Sequence, residues 1–186
     1  MSDDNTTPPE IRTTASKLVY RNRWMSVRED SIVRPDGQPG IYGVVEKADF
    51  ACIAAMHGGK IWLVEQYRYP VGRRFWELPQ GSWEDKPDVD PLVLARAELQ
   101  EETGLAASTM IHVARLFQAY GYSTQAFNLF LASDLTQGET DLDAEEQGLI
   151  ARAFDIAEVQ RMIVEGQIVD VTTVAAFGML RLKGLV

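Results

Sequence analysis

Asp90-Pro91-Leu92-Val93-Leu94-Ala95-Arg96-Ala97-Glu98-Leu99-Gln100-Glu101-Glu102-Thr103-Gly104-Leu105 carries helix signals at both ends. Asp90 can cap free N–H groups, and Pro91 suits the first helical position, where no N–H partner is needed. Gly104 suits the left-handed residue that closes a helix. Leu92, Ala95 and Leu99 recur at helical spacing and predict an inward stripe. Glu98, Glu101 and Glu102 stand at i, i+3 and i+4, so their carboxylates share one face.

Like charges on one helix face repel by a few tenths of a kcal/mol per pair, and by more when partly desolvated. A divalent cation would turn that repulsion into coordination. Mg²⁺ suits such a face because it takes hard oxygen ligands, keeps several waters and is often shared with substrate phosphates. A solvated acidic face would carry the same residues, since charge clusters of this kind are common.

The 186-residue, 20.8 kDa chain is of a size for one domain with a real core. A net charge of −9 argues against nonspecific nucleic-acid binding and against an anionic membrane surface. No apolar run approaches the ~20 residues that span a membrane. Residues 1–14 are expected to be a flexible tail; Met1 to Glu10 is polar and acidic, unlike a signal peptide. The remainder, 15–186, is expected to fold as a single domain that includes the N-terminal strands. The lone Cys52 sits in an apolar run, which predicts a buried thiol and favours a reducing, cytoplasmic location. His57 and His112 are isolated and read as structural or solvent-facing.

Lys17 to Val33 predicts an early strand pair, followed by strands over Tyr42–Glu46 and Phe50–Met56. His57-Gly58-Gly59-Lys60 is a hairpin turn into Ile61–Glu65. Gln66 to Trp76 mixes aromatics with three arginines, and reads either as a solvent-facing strand end or as an arginine supply for phosphate or carboxylate oxygens. Strands follow over Met110–Phe117, Ala126–Ala132 and Leu149–Phe154. Asp155 and Glu158 suggest a capping pair for a helix running to Gly166, and Val171–Leu182 is a last helix. The order predicts an α/β fold, one mixed sheet with helices on both faces.

Gly81 after Leu78-Pro79-Gln80, together with Glu98-Leu99-Gln100-Glu101-Glu102-Thr103-Gly104-Leu105, resembles the signature of the Nudix hydrolases. Val44-Val45-Glu46, Val64 to Gly72, Trp76-Glu77-Leu78-Pro79 and Gly166 to Asp170 resemble its ADP-ribose and nucleoside diphosphate sugar pyrophosphatase branch. The resemblance implies an α/β/α sandwich, and Mg²⁺-dependent hydrolysis of the diphosphate linkage of such a nucleotide, with Mn²⁺ as a substitute. It also implies a homodimer with N-terminal strands at the interface. On the same comparison Glu98 and Glu102 are the principal metal ligands and Glu101 a supporting ligand or base. The Gln80 carbonyl is a further ligand, and Glu145 or Glu146 is the base supplied by a later loop. Arg68 and Arg74 are candidates for gripping phosphate or the distal sugar, and Trp24 and Tyr20 for stacking on the nucleobase.

Three departures stand out. The interval from Gly81 to Glu98 is two residues longer than in the signature. Ala97 and Val89 occupy the places of its Arg and first Glu, and Arg96 cannot stand in because adjacent helical residues point ~100° apart. Losing an acid and a base together leaves neither as an unpaired buried charge, so an apolar contact is expected in place of a polar brace. Finally, Tyr120 and Gln125 replace the branch's loop Pro and acidic residue. These departures sustain a second expectation, a catalytically weak Nudix domain that binds a nucleotide as a sensor or interaction module.

Overall fold

The computed structural model describes residues 10–138 and 148–186. They fall into two compact units, 10–47 with 119–125, and 48–118 with 126–138 and 148–186. The first is an antiparallel sheet of β1 (Arg12–Arg21), β2 (Ser26–Val33) and β3 (Pro39–Glu46), in that order. β1 is exposed along its whole length. The loop 119–125 joins this unit by pairing with β3: Val45 N–H donates to the Tyr122 carbonyl at 2.8 Å, and Thr124 N–H to the Val45 carbonyl at 3.1 Å.

In the second unit, β4 (Phe50–His57) and β5 (Lys60–Arg68) form the predicted hairpin, but they pair only at its tip, Met56 with Ile61 and His57 with Lys60. Beyond the tip the two strands splay, and the segment after β5 fills the gap. β6 (Arg73–Glu77) pairs with β5, and β7 (Gln80–Gly81) then crosses to pair with β4 at Ala51 and Cys52. The arginine-rich stretch is therefore the end of β5, a short 3₁₀ turn over Tyr69–Val71, and β6. β8 (Leu105–Phe117) and β9 (Ala126–Gln137) complete one side, with β9 parallel to β4, and β10 (Ile150–Asp155) pairs with β5. The sheet is mixed.

Alternation along β4 builds two cores. Phe50, Cys52 and Ala54 point to one face, where α2 (Ile156–Val164) and α3 (Val171–Leu182) bring Val159, Met162, Ala176, Phe177 and Leu180. Ala51, Ile53 and Ala55 point to the other, against Leu94, Ala95 and Leu99 of α1 (Pro91–Thr103). Burial on both faces is why this strand reads as a continuous apolar run. The expected α/β/α sandwich is present. Cys52 lies fully inside it.

Local signals place α1 closely. Asp90 accepts from Leu92 N–H at 2.8 Å, Pro91 opens the helix, and Gly104 closes it at φ 70°, its N–H donating to the Gln100 carbonyl at 2.8 Å. Leu92 departs from the expected stripe: it is exposed, and Leu94 is buried instead, because the contact face is turned toward β4 and β8. Gly104 turns the chain straight into β8, which begins at Leu105, five residues before the expected start at Met110. Asp155 occupies the N-cap position of α2 but makes no capping bond. Its carboxylate pairs with Lys60 across the β5–β10 ladder at 2.9 Å, a stronger electrostatic partner than the helix N–H groups.

Candidate active site

The face of α1 that carries the glutamates is turned inward. Glu98 is 4% exposed and Glu102 1%, with Glu101 half-buried beside them. Burying two carboxylates on successive turns is unfavourable unless donors or cations compensate. One donor is backbone: Gln80 N–H gives a hydrogen bond to Glu102 Oε2 at 3.1 Å. A second device is a missing side chain. A Cβ on Gly81 would lie 2.0 Å from Glu98 Oε2, so the carboxylate occupies space that only glycine leaves open. β7 thus receives both carboxylates, Glu102 at Gln80 and Glu98 at Gly81. This is the place where β4 and β5 separate.

The far side of β7 is held by the head of α3. Asp170 caps that helix, its Oδ2 accepting from Thr173 N–H and from the Thr173 hydroxyl, each at 2.8 Å. The same oxygen accepts from Gln80 Nε2 at 3.3 Å, and Thr173 Oγ1 accepts from Leu78 N–H at 2.9 Å. Glu77, at the end of β6, is 2% exposed and is held by Gln66 Nε2 at 2.8 Å and by the Arg68 guanidinium. Burial pushes the Glu77 carboxyl above the ordinary range; Arg68 opposes that shift and the charge of Asp170 adds to it. The Cys52 thiol is pushed up by burial first, then by Asp170, Glu102 and Glu77. Those three acids are near enough for their charges to act on the buried thiol. The thiol is no nucleophile, because the thiolate is the reactive form.

Glu98, Glu101, Glu102 and Gln80 are brought together. Arg68 stands at the margin through Glu77. Arg74 is committed to Glu65 at 2.9 Å, and also donates to the carbonyls of Glu65 and Gly148. Tyr20 and Trp24 belong to the N-terminal unit, 51% and 43% exposed around a turn in which Asn22 Oδ1 accepts from Trp24 and Met25 N–H, each at 2.9 Å. Glu145 and Glu146 lie outside the described residues. Val89 packs against the α1 core, Arg96 donates to the Ala107 carbonyl, and the Lys86 ammonium sits over the Trp83 ring at 4.7 Å. An apolar contact stands where the signature's first Glu would be.

Glu77, Asp170 and Thr173 were missed as site residues. Asp170 and Thr173 carried a usable signal, an acid three residues before a hydroxyl at the head of an apolar helix, but that pattern announces a cap and not a neighbour of β7. Among the described residues, no three His, Cys, Asp or Glu side chains form a closed cation cage. Two carboxylates and a backbone edge still suit Mg²⁺, which is commonly bound by one or two carboxylates with waters and substrate phosphates.

Residues 11–45 match the family described as the nucleoside diphosphate sugar hydrolase N-terminal domain, and residues 46–171 match the NUDIX domain. The chain is 33% identical over 168 residues to an ADP-ribose pyrophosphatase of Mycobacterium tuberculosis, covering 89% of this chain and 81% of that protein. It is 30% identical over 178 residues to a methanol dehydrogenase activator of Bacillus methanolicus, covering 94% of each. The crystal structure of an ADP compounds hydrolase shares the fold, with a TM-score of 0.82 over 95% of this chain and 97% of that one, at 19% identity.

Proposed function

The chain belongs to the Nudix family, and from that premise we propose that it is a pyrophosphohydrolase cleaving the diphosphate linkage of ADP-ribose or a related nucleoside diphosphate sugar. The observation that carries the reading is the convergence of two buried carboxylates, Glu98 and Glu102, on the Gln80–Gly81 strand. An N-terminal segment matching nucleoside diphosphate sugar hydrolases and a relative named as an ADP-ribose pyrophosphatase support the substrate class.

Glu98 and Glu102 would hold the divalent cation, Mg²⁺ or Mn²⁺, with Glu101 as a supporting ligand or base. In an extended strand a residue's N–H and carbonyl leave by the same edge. Gln80 turns its N–H to Glu102, and on that ground we take its carbonyl as the further ligand. When bound there, the cation supplies charge neutralisation for phosphate oxygens and a lowered pKa for a water. Glu145 and Glu146 remain our candidates for the base, and Arg68, Arg74, Trp24 and Tyr20 for substrate contacts.

We read the assembly as a homodimer joined through the exposed N-terminal strands, and the location as cytoplasmic. Among the described residues no helix is long and apolar enough to cross a membrane. Light scattering should give about twice 20.8 kDa; a monomer at micromolar concentration contradicts the dimer.

Glu102→Gln tests the site directly. It should lower Mg²⁺-dependent turnover of ADP-ribose by at least about a hundredfold with the fold intact. Unchanged turnover removes α1 from the reaction.

A further inference from the structure

We propose that Asp170 and Gln80 are positioning residues for Glu102, so that the cap of α3 sets the divalent-cation affinity of a site built on α1. The inference rests on the assignment of Glu102 as a metal ligand made above.

One chain of hydrogen bonds runs from Glu102 to the head of α3. Glu102 Oε2 is held by the backbone N–H of Gln80. β7 is only two residues long and pairs with β4 at Ala51 and Cys52, so few ladder bonds fix where that N–H points. The Pro79 carbonyl also accepts from Ile53 N–H of β4 at 2.9 Å, and further bonds come from α3. Gln80 Nε2 donates to Asp170 Oδ2, and Leu78 N–H donates to Thr173 Oγ1, whose own hydroxyl donates to the same Asp170 oxygen. Thr173 is 1% exposed, and Leu78 is 1% exposed. The strand is therefore clamped two residues apart, at Leu78 and at Gln80, to a single helix cap. Asp170 and Thr173 do for a metal ligand what outer-shell partners do elsewhere: they restrict its orientation before the ion arrives.

The test titrates Mn²⁺ into the full-length protein without substrate, following bound ion by calorimetry. Gln80→Leu removes Nε2 and keeps the backbone N–H. Asp170→Ser retains a short cap oxygen that cannot span to Gln80. Each should raise the Mn²⁺ Kd about tenfold. The double variant should be no weaker than about tenfold, because both changes cut the same chain. Asp170→Asn, which keeps an acceptor oxygen, should remain within about twofold of the wild type.

A folded Gln80→Leu protein with wild-type Kd overturns the proposal, as does a double variant about a hundredfold weaker. If Asp170→Ser fails to fold, Gln80→Leu decides, since its side chain is half-buried and its loss spares the cap. Mn²⁺ binding that survives Glu102→Gln overturns the assignment of the site and this inference with it. Binding that depends on Glu102 but not on Asp170 or Gln80 overturns this inference alone.

Discussion

Gly81 and Glu77 show how single positions shape the site. At Gly81 the absent Cβ makes room for a carboxylate, so Gly81→Ala must displace Glu98. The displaced group is the end of a flexible side chain, and the fold should survive at a cost of about 1 kcal/mol. Mg²⁺-dependent kcat/KM should nevertheless fall about tenfold or more; an alanine variant with full activity means that Glu98 need not sit where it does. Glu77 makes a pH prediction. Its carboxyl is raised by burial, so the folded protein holds that proton more tightly than the unfolded chain does. The resulting stability is complete below the ordinary glutamate range, about 4.3, and is lost as pH rises through the raised folded value. Wild-type Tm should therefore decline relative to that of Glu77→Gln as pH climbs from about 4 toward neutrality. A pH-independent gap between the two would show that Glu77 titrates normally.

The elements differ in how their ends are held, and the difference is measurable. Asp90 makes a real cap on α1, whereas Asp155 stands at the head of α2 and spends its charge on Lys60 in an exposed pair. Asp90→Ala should cost about 1 kcal/mol in chemical denaturation. Asp155→Ala should cost about 0.5 kcal/mol or less, the usual worth of a surface ion pair. Equal costs would contradict the assignment. Cap signals were legible at Asp90 because cap and helix are neighbours in the chain. They misled at Asp155 because the competing partner, Lys60, lies 95 residues away. The same distinction explains Leu92, which repeats at helical spacing yet is exposed. Periodicity identifies a face, but which residues at its edge are covered depends on the sheet beneath.

In the whole molecule, the proposed site, assembled from α1, β7 and α3, would couple metal binding to the fold. A ligand that binds only the folded state stabilises it by about 2.7 kcal/mol at a hundred times its Kd. For a chain of this size Mg²⁺ should then raise Tm by about 5 to 10 °C. A folded protein with no shift at saturating Mg²⁺ lacks a preformed site. Helix α1, its boundaries and its acidic face were determined by the sequence alone, because capping and helical period act between residues a few positions apart. The splayed hairpin, the seating of Glu98 against Gly81 and the reach of Asp170 to Gln80 were decided only by tertiary structure. The last two join residues 17 and 90 positions apart, and at such distances only the packing of the sheet brings the partners together.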